Sequence, residues 1–392
     1  KKNIFKYDIM INFKRTLYFT FCILIFACSG GDDSSPTTPP NNGGGDNTIT
    51  AITLGFNKTV YNTNEAGFFT VRDQSDNLVT DLVSVFVNGN LVEVNPYVFQ
   101  EEGTYDFVAT YENLTSNTLT FDVVTPSEFS DTSSFSPGLA PSNYTQKAIL
   151  EEITGTWCSA CPQGAYYLDQ AVTSNPNLVF GAAYHSGIPQ YADPMATQET
   201  DYWQVFYNLY SFPTILLNGT STDWNYGMGQ INNKLSQTPT LGLSADAAIV
   251  GGKLDIEISV GYNTTPNEQL QLVIILIEGS DLAPDSPQIG SSAGADYVHK
   301  YIVRDVISSV GGDDIPASYT LSGGVYTRTI TGLDLPGGIN SSDFDDLSII
   351  AYVKNSYTRD WTDPVGNSFV DSPSYDVYNV QQVKLGETAM FD

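Results

Sequence analysis

The chain has 392 residues, 41% of them hydrophobic and 12% aromatic, so it can build real cores and global disorder is excluded. That length exceeds one ordinary domain and favours two or three. A formal net charge of −28 makes the body repel nucleic acid and anionic lipid headgroups, so nucleic acid is excluded as a partner and any membrane attachment must have another source.

The N-terminus reads as an address. Lys14-Arg15 precede a mostly apolar run, 16–27, that is too short for a comfortable membrane span and fits a secretory signal. Met10 would start a signal of ordinary length, so residues 1–9 are expected to come from an upstream start. The run ends Ile25-Phe26-Ala27-Cys28-Ser29-Gly30. This resembles the lipobox of bacterial lipoproteins, which implies lipidation of Cys28 after removal of 1–27. A plain signal peptide with an incidental cysteine is the alternative. Residues 28–47 carry no large apolar side chain after Cys28 and read as a flexible tether. The acidic pair Asp32-Asp33 resembles lipoprotein export signals of Bacteroidetes-type bacteria. It implies an outer-membrane location, on the periplasmic or the cell-surface face, with the membrane held through the lipid on Cys28.

Residues 48–125 alternate apolar and polar side chains, and Asn88-Gly89 between apolar runs predicts a hairpin turn. Gly103-Thr-Tyr-Asp-Phe107 resembles the penultimate strand of bacterial immunoglobulin-like modules. A small immunoglobulin-like β-sandwich is expected, acting as a spacer. Residues 126–145, rich in Ser and Pro, are expected to be a second linker.

Residues 146–238 change character. Ala148–Ile153 predicts a strand, and Ala165, Leu168 and Val172 follow helical spacing. Residues 178–184 suit a buried strand, and Trp203, Phe206, Tyr207 and Tyr210 share a helical face. Thr214–Leu217 is a strand running into the Asn218-Gly219 turn. Residues 239–392 return to strands, at 253–260, 270–277, 326–330, 347–353 and 380–383, and predict a larger C-terminal β-sandwich.

Four cysteines are present: Cys22 lies in the signal and Cys28 at its end, which leaves Cys158 and Cys161. A structural zinc site needs four nitrogen or sulfur ligands, and the only two histidines, His185 and His299, fall in different predicted domains. No metal and no cofactor are therefore expected. A Cys-x-x-Cys at a strand-to-helix junction has redox logic: a cysteine at the helix N-terminus is favoured as thiolate, and its neighbour resolves a mixed disulfide. This assigns Cys158 as exposed nucleophile and Cys161 as buried resolving thiol. Pro162 is tolerated in the first helical turn.

Trp157-Cys158-Ser159-Ala160-Cys161 resembles the active sites of thioredoxins and disulfide isomerases. The likeness implies a central α/β thioredoxin-like domain. It also implies that Pro213, in Ser211-Phe212-Pro213-Thr214, is the cis-proline facing the cysteines. Glu152, six residues before Cys158, falls where those proteins carry a buried acid that relays the second thiol's proton. It could instead be a half-exposed strand residue, and Glu151 should face the opposite side. Ser159-Ala160 departs from the usual intervening pairs. Residues 185–199 form an insertion, in which His185 is expected to be an ordinary loop histidine, although it could border the site. Leu150–Pro162 with Phe212-Pro213 and the ending Gln382–Glu387 resemble the outer membrane protein twenty-eight family of Bacteroidetes-type lipoproteins over about residues 140–392.

The resulting expectation is a multidomain outer-membrane lipoprotein acting as a thiol–disulfide oxidoreductase or isomerase. Its partners would be the thiols and disulfides of exported proteins and a separate redox partner. The alternative is a non-enzymatic surface protein in which the two cysteines form a structural staple.

Overall fold

The computed structural model describes residues 48–392 except 57–60, 65, 68, 76–78, 188–192, 208, 210, 220–223, 283–286, 338, 340–342 and 363–367. The signal, Cys28 and the 28–47 tether lie outside the described residues, as does Tyr210.

The N-terminal module holds β1 (Ile52–Phe56), β2 (Ala66–Gly67), β3 (Phe69–Asp73), β4 (Ser84–Val87), β5 (Asn90–Leu91), β6 (Tyr97–Val98), β7 (Gly103–Tyr111), β8 (Leu114–Thr115) and β9 (Leu119–Val123). β7 is the hub, pairing antiparallel with β4, β8 and β9. Val87 lies opposite Asn90, so Asn88-Gly89 closes the expected two-residue hairpin. Alternate side chains point inward, and Phe56, Tyr61, Phe69, Phe99, Phe107 and Phe121 form one aromatic core. The layered β architecture expected for 48–125 is present.

The 126–145 segment is not simply a linker. Ser130–Ser136 forms β10, antiparallel to β19 (Val325–Leu333). Serines suit an exposed edge strand, and Asp131 accepts a forked pair of hydrogen bonds from Arg328 at 3.0 and 2.8 Å. Phe135 stacks on Tyr319.

The remaining strands are β11 (Ala148–Thr154), β12 (Val179–His185), β13 (Thr214–Leu217), β14 (Leu241–Val250), β15 (Lys253–Tyr262), β16 (Gln271–Leu282), β17 (Val298–Val306), β18 (Asp313–Asp314), β20 (Leu347–Thr362), β21 (Ser368–Lys384) and β22 (Glu387–Ala389). Among the described residues three α-helices join them: α1 (Cys161–Ser174), α2 (Gln198–Phe206) and α3 (Met228–Leu235). One sheet runs β13-β11-β12-β17-β16-β20-β21, with β18 at the side of β16, and a second runs β10-β19-β15-β14-β22.

The first sheet crosses the boundary expected at 238/239. β12 pairs parallel with β17, with Ala183 opposite Ile302, so strands from both expected domains share one hydrogen-bonded ladder. The reason lies in burial on two faces. Residues 270–277 are apolar without alternation, as a strand covered on both sides must be. Leu272, Ile274 and Leu276 pack toward the five-stranded sheet with Ile256, Ile258 and Val260, completing a sandwich. Val273, Ile275 and Ile277 join Ile149, Ile153, Tyr184 and Trp203 on the other face, under α2. α1 and α3 cover the first face over β11–β13, through Leu168, Ala171 and Ile231 against Leu150, Val179 and Ile215.

Candidate functional site

The chain between β11 and α1 positions the two cysteines. Cys158 N–H donates to Gly155 O and Cys161 N–H to Cys158 O, a tight turn that delivers Cys161 as the first residue of α1. Cys158 and Cys161 are joined in a disulfide, with Cα atoms 5.4 Å apart. Two expectations change here. The helix starts at the second cysteine rather than the first, and Cys158 is buried, only 5% exposed, against 1% for Cys161.

The cover over Cys158 comes from the chain between β16 and β17. Ile289 N–H donates to Thr156 O at 2.9 Å, and Gln288 Nε2 donates to Cys158 O at 2.9 Å. Gly290, at φ +83°, lies against the turn: a Cβ there would fall 2.1 Å from Ser159 O. Only a residue without a side chain permits that approach.

Trp157 is half-buried. Its Nε1 donates to Ser186 O at 2.8 Å, and its ring meets Phe212 edge-on at 4.8 Å. The Phe212–Pro213 bond is cis, as expected. Pro213 and Glu152 meet at Gly164 of α1: a Cβ on Gly164 would lie 2.6 Å from Glu152 Oε1 and 2.9 Å from Pro213 Cβ. Glu152 is fully buried rather than half-exposed, and its Oε1 has no hydrogen-bond partner. Burial pushes its carboxyl up to about 8.

A small cavity lies behind Cys161, lined by Glu152, Thr154, Ala183, His185, Tyr297 and His299 among others, with about 10 Å³ in which a water's centre fits. His185 is not an ordinary loop residue. It ends β12, is 1% exposed, and its Nδ1 lies 2.8 Å from Asp193 Oδ2. Burial alone would raise the Asp193 carboxyl, but His185 and the amides of Thr156 and Met195 hold it below the usual range. His299 stands 4.9 Å from His185, ring to ring, although the sequence placed them in separate domains. The parallel pairing of β17 with β12 brings them together. Burial and the His185 ring pull His299 down to about 4, with Asp193 opposing. Among the described residues no group of three or more His, Cys, Asp or Glu is arranged to hold a metal ion.

Glu151 faces the other side of the sheet, as expected of a strand neighbour, yet it too is fully buried. Its carboxylate accepts from Tyr375 at 2.6 Å, Tyr352 at 2.8 Å and Tyr184 at 3.1 Å. Burial raises it, while the three hydroxyls and Lys354 act against the rise. Sequence reasoning missed this cluster, because its tyrosines come from β12 and from the paired strands β20 and β21, far from Glu151 in the chain.

Together these features define a β-rich protein carrying a buried, acid-backed Cys-x-x-Cys just beyond the C-terminal end of β11 in a mixed sheet. Residues 200–389 match the family model described as Outer membrane protein Omp28, which bears out the resemblance read from the sequence and indicates the outer membrane. The matched stretch contains Pro213 and His299 and begins after the two cysteines. Among solved structures the chain is similar to HBP35 of Porphyromonas gingivalis, at 17% identity and a TM-score of 0.47, covering 63% of this chain and 77% of that one. It is also similar to a protein from Agrobacterium tumefaciens, at 15% identity and a TM-score of 0.37, covering 63% and 98%. No curated protein matches it.

Proposed function

We propose that this outer-membrane protein is a thiol–disulfide oxidoreductase or isomerase acting on exported proteins. In this reading a thioredoxin-like core, β11-α1-β12-α2-β13-α3, carries the Cys158–Cys161 pair, and Cys28 carries the lipid anchor. One observation supports it above the others: Glu152, buried with an unpartnered oxygen, lines the same cavity as Cys161. An unbonded buried carboxyl costs stability. A disulfide serving only as a staple has no use for it, whereas a resolving thiol needs a nearby proton acceptor and donor. Turnover also needs a second disulfide-bearing protein to reoxidise the dithiol, or a dithiol donor to keep it reduced.

The burial of Cys158 under Gln288 and Gly290 favours the second reading, a surface protein in which the disulfide is a structural staple. Thiol exchange between the purified protein and a small aromatic disulfide separates the two. Exchange that is lost in Cys158→Ser supports the enzyme. A Cys158 thiol that stays inert after reduction, with a reduction potential below about −300 mV, establishes the staple.

A further inference from the structure

Two polar atoms in the cavity behind Cys161 lack partners within the protein: Glu152 Oε1 from β11 and His299 Nε2 from β17. Buried polar atoms are normally satisfied, by protein or by an ordered water. A single water needs roughly 10–15 Å³ for its centre and two or more polar partners. This cavity supplies about 10 Å³ and both unpartnered atoms, with Cys161 in the same lining. At its rim the Lys300 side chain is 48% exposed, which gives the cavity a solvent side. We propose that His299 is a positioning residue of the Cys-x-x-Cys site: its Nε2 and the Glu152 carboxyl hold one water behind Cys161, and through that water Glu152 exchanges its proton with solvent. The inference rests on the reading that the cysteine pair turns over.

The step balances as follows in substrate oxidation. A substrate thiolate attacks Cys158 Sγ, a new S–S bond forms, and the Cys158–Cys161 bond breaks. Cys161 leaves with the electron pair as thiolate and takes the proton of the Glu152 carboxyl. Glu152, now a carboxylate, is reprotonated from solvent by way of the water and His299. A second substrate thiolate then attacks the substrate sulfur of the mixed disulfide, and Cys158 leaves as thiolate. Two electrons pass from the substrate sulfurs to the cysteine pair. A histidine neutral at working pH suits this role, since a neutral imidazole nitrogen can accept and return a proton.

The groups facing Glu152 and His299 are few. His185 stands on β12 with Asp193 against it, and Tyr297 and Lys300 flank His299 on the loop and β17. Asp169 of α1 and Tyr226, before α3, act on this region from further off.

The chain has two histidines, so ¹⁵N-histidine labelling of the intact protein yields two imidazoles to follow, assigned with His299→Asn. In the oxidised wild type the His299 Nε2 resonance should move with a midpoint near 8, tracking Glu152, and this movement should vanish in Glu152→Gln. A His299 signal flat from pH 6 to 9, or one moving identically in Glu152→Gln, overturns the shared water without any measurement of activity. In exchange kinetics His299→Asn should slow the reaction about tenfold and displace its pH profile. An unchanged profile in that variant, with an active wild type, overturns the relay alone. A wild type inert to exchange overturns the proposed activity and the relay with it.

Discussion

Glu151 and Glu152 show how one step along a strand sets two chemistries. Side chains alternate across the sheet, so the pair enters two separate interiors. Glu151 meets three tyrosine hydroxyls, and Glu152 meets none. The folded protein therefore keeps Glu152 protonated up to about pH 8, while the unfolded chain releases that proton near 4.5. Between those values the folded state binds more protons, so stability falls as pH rises. Its contribution is full below about 4.5, is lost progressively toward 8, and does not change further above. The loss is of order 3–5 kcal/mol for a shift of this size. Denaturant unfolding at several pH values should show this decline in the wild type, and Glu152→Gln should remove that part of it. On the other face Tyr375→Phe deletes the 2.6 Å bond to a buried carboxylate and should cost about 1.5–3 kcal/mol in the same assay. Cys161, Glu152 and Pro213 were legible as candidates because the stretch Trp157–Cys161 resembles thioredoxin sites, and that resemblance implies an acid before the pair and a cis-proline after it. His299 was not, since 138 positions separate it from Cys161 and only the strand order joins them.

The element that changes the reading of the cysteines is the segment from Gln288 to Tyr297. Local sequence gives no sign that it crosses to another part of the chain, because its anchors are one backbone hydrogen bond, the Gln288 amide on a backbone carbonyl and a contact at glycine. These depend on shape and carry no residue signature. Its docking hides Cys158 and explains why a nucleophile expected to be exposed is 5% exposed. Gly290→Ala tests that cover. The added Cβ meets Ser159 O, and φ +83° costs a non-glycine residue roughly 1–2 kcal/mol, about a five- to thirtyfold rise in the open population. After reduction, alkylation of Cys158 by iodoacetamide should speed up about fivefold or more. An unchanged rate would mean that the thiol is reached by another path. β10 gives the converse lesson: its Ser-rich composition reads as linker, yet Arg328 and the free edge of β19 recruit it as a strand. Strand formation there is decided by the partner edge, which composition does not encode.

At the scale of the molecule, strand positions in 239–392 were readable from runs of apolar residues, whereas the division between domains was not. The return to strand patterns after 238 suggests a domain boundary there, and local patterns cannot report that β17 returns to pair with β12. That pairing makes the cysteine region and the C-terminal strands one cooperative body. Ile149, Ile153, Tyr184 and Trp203 bury their surface against Val273, Ile275, Ile350 and Tyr375. Each such side chain contributes about 1.5–3 kcal/mol when buried, so the eight together contribute roughly 12–24 kcal/mol, as much as or more than the 5–15 kcal/mol by which a domain is stable. Residues 146–238 expressed alone should therefore show no cooperative unfolding transition. A fragment of residues 126–392 should show one, because the aromatic core of 48–125 is built entirely from its own strands. Circular dichroism melts of the two fragments check this. A cooperative melt of 146–238 would mean that β12 tolerates an open edge and that the cysteine site is autonomous. The same loss of β17 would remove His299 from the cavity, so in this protein the surroundings of Cys161 are completed by the C-terminal half of the chain.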